Sequence, residues 1–257
     1  MKALALRAWR LLAQLDIHPL RTARALAALP AYVRDWRRFA RASDRPMVPY
    51  PCLLDRGAEA SSLGEYFWQD LYVARRILDV APRRHVDVGS RVDGFIAHLA
   101  CVRDVEVFDI RPLDARIPRV RFRQWDLTAT GPGMPDEQAD SVSCLHTLEH
   151  VGLGRYGDPL DVAGWQVAFR RLAGLVAPGG RLWLSVPVGR RRVEFNAHRV
   201  FDPRELLDLG AANGLRAVEF SVIDGPHMPR LVEGGEAVAA VAALDQALGL
   251  FLFECPA

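Results

Sequence analysis

The chain has 257 residues, enough for one sizeable hydrophobic core, and half of them are hydrophobic while a quarter are charged. Its lysine content excludes several reactions, because Lys2 is the only lysine in the sequence. Chemistry that needs a positioned interior lysine is excluded: P-loop phosphate binding, pyridoxal Schiff bases and the Tyr-x-x-x-Lys pair of short-chain reductases.

Positive charge is concentrated at the start of the chain, where residues 1–50 contain ten Lys and Arg against three Asp. Two interpretations are open: residues 1–45 contact a membrane surface peripherally, or they form a solvated helical face packed on the main domain. No aromatic and basic motif accompanies the charge, so we expect no nucleic-acid partner. The four cysteines form no CxxC pair and indicate free thiols in a reducing compartment. We therefore expect a cytoplasmic protein. Whether it also contacts the inner face of the membrane peripherally is left open by the sequence.

Residues 1–64 are predicted to form a helical basic extension and connector. Its helices are expected to break near Pro19 and Pro30, and residues 46–64 are punctuated by proline and glycine. Residues 65–257 are predicted to form the main domain, in which apolar strands alternate with amphipathic helices. Seven strands are predicted, with the sequences HVDVG, DVEVFDI, RVRFRQWDL, ADSVSCLHTL, RLWLSVPV, LRAVEFSVID and GLFLFECP. This alternation predicts a mainly parallel sheet covered on both faces, with ligands beyond the carboxyl ends of its strands.

Three acidic residues close the first three predicted strands. Gly89 follows Asp87, and glycine lets a backbone approach a ligand closely or adopt a positive φ. Asp109 comes twenty residues later, where a carboxylate accepts hydrogen bonds from the ribose hydroxyls of an adenosine cofactor. Asp126 closes the third strand, where a polar group meets an adenine amino group. The nicotinamide pattern G-x-G-x-x-G is absent, and the Lys-Ser/Thr pair of a P-loop does not follow Gly94.

Residues 83–257 resemble the class I S-adenosylmethionine-dependent methyltransferases. The resemblance rests on Asp87, Gly89, Asp109 and Asp126, on the loop CLHTLEHVG and on the helix ending in APGG. The stretches YFWQDL, HVDVGSRVDGFIAHL, LHTLEHVGLGRYGDPLD and SVPVGRRRVEFNAHRVFDP resemble an uncharacterised, mostly bacterial branch of methyltransferase-like domains. The resemblance implies a three-layer, Rossmann-like α/β fold with a seven-stranded sheet, mostly parallel with the last strand antiparallel. It implies S-adenosyl-L-methionine as cofactor. The implied cofactor-binding residues are Asp87, Gly89, Ser90, Arg91, Asp109, Ile110, Asp126, Leu127 and His146.

The glycine loop departs from the family's pattern, because Arg91 and Asp93 occupy positions where the motif has glycine. In one interpretation, Arg91 or its neighbours bind the cofactor's carboxylate, since a guanidinium can hold a carboxylate through two hydrogen bonds. In the other, the pocket is partly filled and the domain binds the cofactor poorly or serves only as a scaffold.

The sequence LHTLEH places His146, Glu149 and His150 in the H-x-x-E-H pattern of inverted zinc peptidases. Because this motif follows a strand instead of lying within a helix, we assign no metal to it. A hydroxyl acceptor needs a base for its proton, and a neutral histidine suits pH 7. We therefore predict His150 and His198 as catalytic residues, with Glu149 and Glu194 as possible orienting groups. A structural role for His146 and His150, capping a short turn, is the alternative.

Two polar loops and an aromatic helix are the predicted acceptor site. The loops GLGRYGDPLD and GRRRVEFNAHRVFDP should open on the same side of the sheet. Within the second loop, the run Arg190–Arg192 is either a solvated turn or a clamp for an anionic substrate such as a sugar nucleotide. The helix EYFWQDLY supplies either a lid over the cofactor or aromatic residues of the core. The predicted substrate-binding residues are Tyr66, Gln69, Arg155, Tyr156, Asp158, Asn196 and Arg199.

Taken together, these features predict a methyltransferase acting on an oxygen, or with lower preference a nitrogen, of a small or glycan-like acceptor. The alternative function is a non-catalytic methyltransferase-like binding or scaffold module, as part of a surface-glycan assembly.

Overall fold

The computed structural model describes residues 15–43, 45, 47–55, 63–129 and 137–257. The chain divides into two compact units, Met1–Ser62 and Leu63–Ala257. The first part of the predicted basic extension, residues 1–14, and much of the predicted connector, residues 56–62, lie outside the described residues. Among the helices that the structure describes, none has the length and apolar character needed to cross a membrane.

The described part of the first unit contains helix α1 (Pro19–Ala40), which begins with proline at a position where the missing N–H costs no hydrogen bond. The predicted break near Pro30 is wrong, because α1 continues through this residue. The carbonyl group that Pro30 leaves without an N–H donor belongs to Leu26, which is exposed, so that water can hydrate it.

The second unit alternates strands and helices. Its helices are α2 (Glu65–Val80), α3 (Ala97–Ala100), α4 (Gly164–Gly174), α5 (Pro203–Ala212) and α6 (Gly235–Ala242). Its strands are β1 (His85–Val88), β2 (Val105–Asp109), β3 (Val120–Gln124), β4 (Ala139–Leu145), β5 (Val176–Val188), β6 (Arg192–Glu194), β7 (His198–Val200), β8 (Arg216–Ile223), β9 (Arg230–Leu231) and β10 (Ala247–Glu254). A π-helical turn (Val92–Ile96) leads into α3, and a 3₁₀ turn (Leu148–His150) follows β4.

The main sheet has the strand order β3-β2-β1-β4-β5-β10-β8-β9. Strands β1 to β5 are parallel, and β10 is antiparallel to both β5 and β8. The predicted mixed α/β architecture with an antiparallel last strand is confirmed. The chain order reverses between β1 and β4, and in sheets of this type the crevice beyond such a reversal is where ligands bind.

The strand count differs from the prediction, because β9 adds an eighth strand to the sheet and β6 pairs with β7 in a separate hairpin. Both additions are only two or three residues long. Strands of that length show no alternating hydrophobic pattern, so the sequence carries no signal for them.

Apolar side chains cover both faces of the sheet and make this unit three-layered. On one face, Phe169 and Leu172 of α4 belong to a cluster with Val142 of β4. On the other, Val73 and Ile77 of α2 belong to a second cluster. All of these side chains are at most 2% exposed. Because both faces are covered, only the edge at the carboxyl ends of the parallel strands is left for a deep site.

Candidate active site at the carboxyl ends of β1, β2 and β4

The turn after β1 requires glycine at position 89. Gly89 has a φ of +78°, and its N–H donates to the carbonyl oxygen of Phe108 at 2.8 Å. A Cβ atom at this position would lie 2.4 Å from Cγ2 of Thr147. The first turn therefore runs directly against the residue that follows β4, and both residues line a cleft.

Asp87 is fully buried beneath this turn and supports it. Its Oδ1 accepts hydrogen bonds from the hydroxyls of Ser90 and Ser143 at 2.5 Å each, and its Oδ2 accepts one from the Ser90 N–H at 3.0 Å. Burial raises the pKa of Asp87 to about 7, although these hydrogen bonds act to lower it. The predicted contact of Asp87 with the cofactor is corrected here, because this residue is not among those that line the cleft.

The cleft has an inner and an outer lobe that share part of their lining. The inner lobe has a volume of about 70 Å³ and the outer lobe about 730 Å³. Most of the surface of the inner lobe is apolar, and its apolar side chains are Val88, Ile110, Trp125, Leu127 and Val151. Asp126 also lines it, and its Oδ1 accepts hydrogen bonds from the N–H and the hydroxyl of Thr128 at 2.7 Å each. An apolar slot with a fixed carboxylate suits a flat heteroaromatic ring that carries an amino group.

Asp109 lies at the junction of the two lobes, at the end of β2. Both of its carboxylate oxygens bind the guanidinium of Arg111, with distances of 3.0 Å from Nε to Oδ1 and 2.6 Å from Nη2 to Oδ2. Arg111 also stacks on the ring of Tyr156, 4.8 Å from its centroid. The carboxylate predicted to bind ribose is thus at the predicted place, and an arginine two residues later covers it.

Arg91 lines the outer lobe and not the inner one. Its guanidinium binds Asp93 through two hydrogen bonds of 3.1 and 2.9 Å and lies 5.3 Å from the ring centroid of Tyr66. The side chain is 54% exposed. The residue that replaces the motif's glycine therefore leaves the inner lobe open and adds charge to the rim of the outer lobe.

His146 and Glu149 form a buried pair in the loop that follows β4 (residues 146–163, the β4 loop). Nδ1 of His146 is 2.8 Å from Oε1 of Glu149. Burial acts to lower the pKa of His146, but the hydrogen bond to Glu149 and the charges of nearby carboxylates together raise it. Burial acts to raise the pKa of Glu149, but the hydrogen bond to His146 and the charges of His146 and His150 together lower it. Both shifts favour the charged forms, whose attraction is strengthened by the low local dielectric. His146 also has a φ of +52°, a conformation that strained functional positions often adopt.

His150 lines both lobes of the cleft. Its Nδ1 is 2.7 Å from the carbonyl oxygen of Ala197, so Nδ1 carries the proton and donates it to that oxygen. Burial lowers the pKa of His150, against the opposing effect of Glu149, whose Oε1 is 3.6 Å from Nε2. At neutral pH the ring is uncharged, and its Nε2 lone pair is available to accept a proton.

The rest of the β4 loop is folded around Asp158. Its carboxylate accepts hydrogen bonds from the N–H groups of Gly152, Gly154 and Tyr156. Asp158 also lines the inner lobe, while Tyr156 lines both lobes and Arg155 lines the outer one. The three predicted substrate-binding residues of this loop therefore all reach the cleft.

The loop that follows β5 (residues 189–201, the β5 loop) does not line either lobe of the described cleft. Glu194 binds Arg192 at 3.0 Å, and Nε2 of His198 lies 3.4 Å from Oε1 of Gln246. Asn196 is exposed at the end of the β6–β7 hairpin. His198, Glu194 and Asn196 therefore lie outside the lining of both lobes, and the structure does not bring them to the place that their predicted catalytic and substrate-binding roles require.

Arg199 is likewise corrected from a substrate-binding to a supporting residue. It is 6% exposed, and its guanidinium donates to the carbonyl oxygens of Glu149 and Val151. The run Arg190–Arg192 makes no clamp either, because its members pair with Asp245, Glu205 and Glu194.

The two predicted residues of α2 have different positions. Tyr66 lines the outer lobe, with its ring 4.4 Å from that of His146. Gln69 is 2% exposed and accepts a hydrogen bond of 2.5 Å from the Ser185 hydroxyl, inside the second unit. The structure therefore does not bring Gln69 to the cleft, as its predicted substrate contact requires, whereas Tyr66 does line the cleft.

Four residues of the site were not predicted: Arg111, Trp125, Thr147 and the carbonyl group of Ala197. Trp125 directly precedes Asp126 and Arg111 lies two residues after Asp109, so their positions in the sequence contain a usable signal. Among the described residues, no group of three or more His, Cys, Asp or Glu side chains is arranged to hold a metal ion.

Comparison with known proteins adds two sequence matches. The model of a family described as "Caenorhabditis protein of unknown function, DUF268" matches residues 133–209, which contain the β4 loop and the β5 loop. A curated relative, the sugar fermentation stimulation protein homolog of Methylorubrum populi, is 28% identical over 123 residues. That match covers 47% of this chain and 49% of the relative, so the chain spans about half the length of this relative.

Solved structures with the same fold extend over most of the chain. An S-adenosylmethionine-dependent methyltransferase from Clostridium acetobutylicum superposes with a TM-score of 0.51 at 10% identity, covering 86% of this chain and 99% of the other. CalS10, an amino pentose methyltransferase from Micromonospora echinaspora, has a TM-score of 0.49 at 18% identity, covering 82% and 100%. The strand order and the superposition on the Clostridium acetobutylicum enzyme both show that the chain has the class I methyltransferase fold.

Proposed function

We propose that this protein is an S-adenosylmethionine-dependent methyltransferase that acts on an oxygen atom, in preference to nitrogen, of a small or glycan-like acceptor. One observation carries the proposal: an apolar slot flanked by Asp109 and Asp126 lies next to the neutral His150 in a single cleft. We also place the chain in the uncharacterised, mostly bacterial branch of methyltransferase-like domains, on its YFWQDL and LHTLEH motifs.

The residues of the cleft fit the proposed cofactor. The inner lobe would take the adenine ring between Ile110 and Leu127, and Asp109 would accept the hydrogen bonds of the ribose. Gly89 and Ser90 line the path into the outer lobe, toward Arg91 at its rim. When bound, S-adenosylmethionine supplies a methyl group already activated on a sulfonium, so the protein has mainly to position the acceptor and exclude water.

A hydroxyl acceptor must also lose its proton. His150 is placed to accept it at Nε2, because its Nδ1 proton is held by the Ala197 carbonyl and its ring is neutral at pH 7. Glu149 lies 3.6 Å from Nε2 and would stabilise the imidazolium that forms. This base supports oxygen as the acceptor atom over an amine that is already neutral, because only the hydroxyl then needs a proton acceptor.

A second function, a non-catalytic binding module, is favoured by a different observation. Arg111 covers both oxygens of Asp109, and the inner lobe has a volume of only about 70 Å³. A domain that had lost cofactor binding would keep the fold and show this kind of occupied pocket. Binding of S-adenosylhomocysteine therefore separates the two functions.

Calorimetry with S-adenosylhomocysteine tests the proposal. We expect micromolar binding to the full chain, weakened about tenfold to a hundredfold by Asp109→Ala, because a hydrogen bond to a charged group contributes about 1.5–3 kcal/mol. Asp224→Ala is the matched control, since Asp224 pairs with Arg230 at the surface and lines neither lobe. Absence of binding at millimolar S-adenosylhomocysteine would reject the enzyme and leave the binding module.

For the first unit we propose peripheral contact with an anionic membrane surface. At helical spacing, Arg24, Arg34 and Arg38 of α1 share one face, and Leu29 and Val33 lie on the other side of the helix, beside Arg37. Arginine opposite apolar residues is the pattern of helices that lie in a lipid interface. Flotation of the full chain with phosphatidylglycerol vesicles, but not with phosphatidylcholine vesicles, is the expected result; equal recovery in both would reject it.

A further inference from the structure

The outer lobe of the cleft is lined by three arginines, two of which are neutralised locally. Arg91 pairs with Asp93 at 2.9 Å, and Arg111 pairs with Asp109 at 2.6 Å. Each of these guanidinium groups makes two hydrogen bonds to its carboxylate. Their charge is therefore already compensated by the protein.

Arg155 is the third arginine, and no carboxylate among the described residues pairs with it. Its Nη1 donates to the carbonyl oxygen of Ala197 at 2.9 Å, and its guanidinium lies 5.2 Å from the ring centroid of Tyr156. These contacts hold the guanidinium of Arg155 through Nη1, and its other N–H groups have no carboxylate partner among the described residues. A guanidinium held this way offers charge-assisted hydrogen bonds to an incoming anion.

The position of Arg155 relative to the proposed base is fixed by the protein. His150 and Arg155 both donate to the carbonyl oxygen of Ala197, which places Nη1 of Arg155 3.3 Å from Nδ1 of His150. The positive charge also acts to lower the pKa of His150. An acceptor that bound Arg155 through an anionic group would therefore present its remaining atoms beside the imidazole.

The other charged groups near the cleft do not provide a second binding site for an anion. The arginines of the β5 loop, Arg190–Arg192, are paired with carboxylates and lie outside the cleft lining. Asp158 is close to Arg155 in sequence, but its carboxylate is bound to three backbone N–H groups.

We propose that the methyl acceptor carries an anionic group, a carboxylate or a phosphate, and that Arg155 binds this group while His150 faces the hydroxyl to be methylated. The proposal rests on the methyltransferase function proposed above and narrows its substrate class to acidic molecules. Tyr156, which contacts the guanidinium, keeps it at the wall of the outer lobe.

Titration with two simple anions tests the proposal. Inorganic phosphate and acetate are titrated separately into the full chain at pH 7.5, with and without saturating S-adenosylhomocysteine, and binding is followed by calorimetry. We expect at least one anion to bind in the millimolar range, and Arg155→Gln to weaken it by about tenfold or more. Arg155→Lys keeps the charge and should retain part of the affinity.

Arg190→Gln is the control, because it removes a positive charge paired with Asp245 outside the cleft. Binding of phosphate alone would indicate a phosphorylated acceptor, and binding of acetate alone a carboxylated one. Binding of neither anion, or equal binding to the wild type and Arg155→Gln, would overturn the proposal. If S-adenosylhomocysteine binds while the anions do not, only this inference fails; if S-adenosylhomocysteine does not bind, the proposed function fails.

Discussion

The β4 loop and the β5 loop both carry histidine and arginine, but they have different roles. The β4 loop has two histidines and one arginine, the β5 loop has one histidine and four arginines, and the two loops follow neighbouring parallel strands. The β4 loop contributes His146, His150 and Tyr156 to the cleft, whereas no residue of the β5 loop lines it. The difference follows from position: β4 lies next to β1, where the strand order reverses, while β5 lies between β4 and the antiparallel β10.

The β5 loop nevertheless supports the site through its backbone and one buried side chain. The carbonyl oxygen of Ala197 orients His150, and Arg199 binds two carbonyl oxygens of the β4 loop. One loop therefore presents functional groups to the cleft and the other holds them in place. Polar composition alone does not distinguish these two roles.

The largest expected effect is on the rate of methyl transfer. The experiment compares alanine variants of one histidine from each loop. His150→Ala should lower kcat about 10²–10⁴-fold, because it removes the proposed base. His198→Ala should leave kcat unchanged, since this side chain lies outside the cleft beside Gln246. Single-turnover methyl transfer from labelled S-adenosylmethionine, to an acceptor found by screening activated sugars, measures both. A loss of rate in His198→Ala equal to that in His150→Ala would contradict the division between the loops.

The pH profile distinguishes a base from a positioning role. Burial lowers the pKa of His150 from its ordinary value of 6.5, and the neutral form is the one that accepts a proton. The rate should therefore be level above pH 6.5 and fall at lower pH, as His150 becomes protonated. His150→Ala should lose this acidic limb, and its persistence in the variant would assign the titration to another group.

The next largest effect is on the free energy of unfolding. The experiment compares variants of two arginines of the β5 loop. Arg199→Met removes the donors to carbonyl oxygens of the β4 loop, and unsatisfied buried groups cost about 1–3 kcal/mol each. Arg190→Gln removes an ion pair whose side chains are 68% and 79% exposed, worth at most about 1 kcal/mol. Urea unfolding of both variants measures the difference. Equal free energies of unfolding would show that Arg199 does not hold the β4 loop.

The sequence was sufficient to predict most of the main sheet because its central strands are buried. In β4, every residue except Asp140 is buried, so the strand is a continuous run of small and apolar residues. The turn glycine, Gly89, and the aspartate twenty residues later, Asp109, were found for local reasons: a positive φ and the end of an apolar strand. Features of this kind depend on neighbours in sequence.

The missed features depend on contacts between distant segments. The local sequence around Asp87 does not show whether its carboxylate faces a ligand or is already hydrogen-bonded within the protein. One of its hydrogen-bond donors, the hydroxyl of Ser143, is 56 residues away. The carbonyl group that orients His150 belongs to Ala197, and every residue has such a group, so no residue type marks it. His150 lies in the 3₁₀ turn after β4 and lines the cleft, whereas His198 lies in the β6–β7 hairpin and does not line it. Residue types therefore indicated which groups were available, and the topology determined which of them meet.

The smallest expected effect concerns the pair of Arg111 and Asp109, which joins β2 to the β4 loop through Tyr156. Arg111 is 48% exposed, and an ion pair at the surface is worth at most about 1 kcal/mol. Arg111→Gln should therefore raise the affinity for S-adenosylhomocysteine by no more than about fivefold, because both oxygens of Asp109 lose the guanidinium that competes with the ribose, while Oδ1 keeps its bond to the backbone N–H of residue 111. Calorimetry measures the change, with Arg230→Gln as a control that removes an arginine paired with Asp224 outside both lobes. Weaker binding in Arg111→Gln would mean that this arginine contacts the cofactor itself, and the β4 loop would then share in binding the adenosyl group as well as the acceptor.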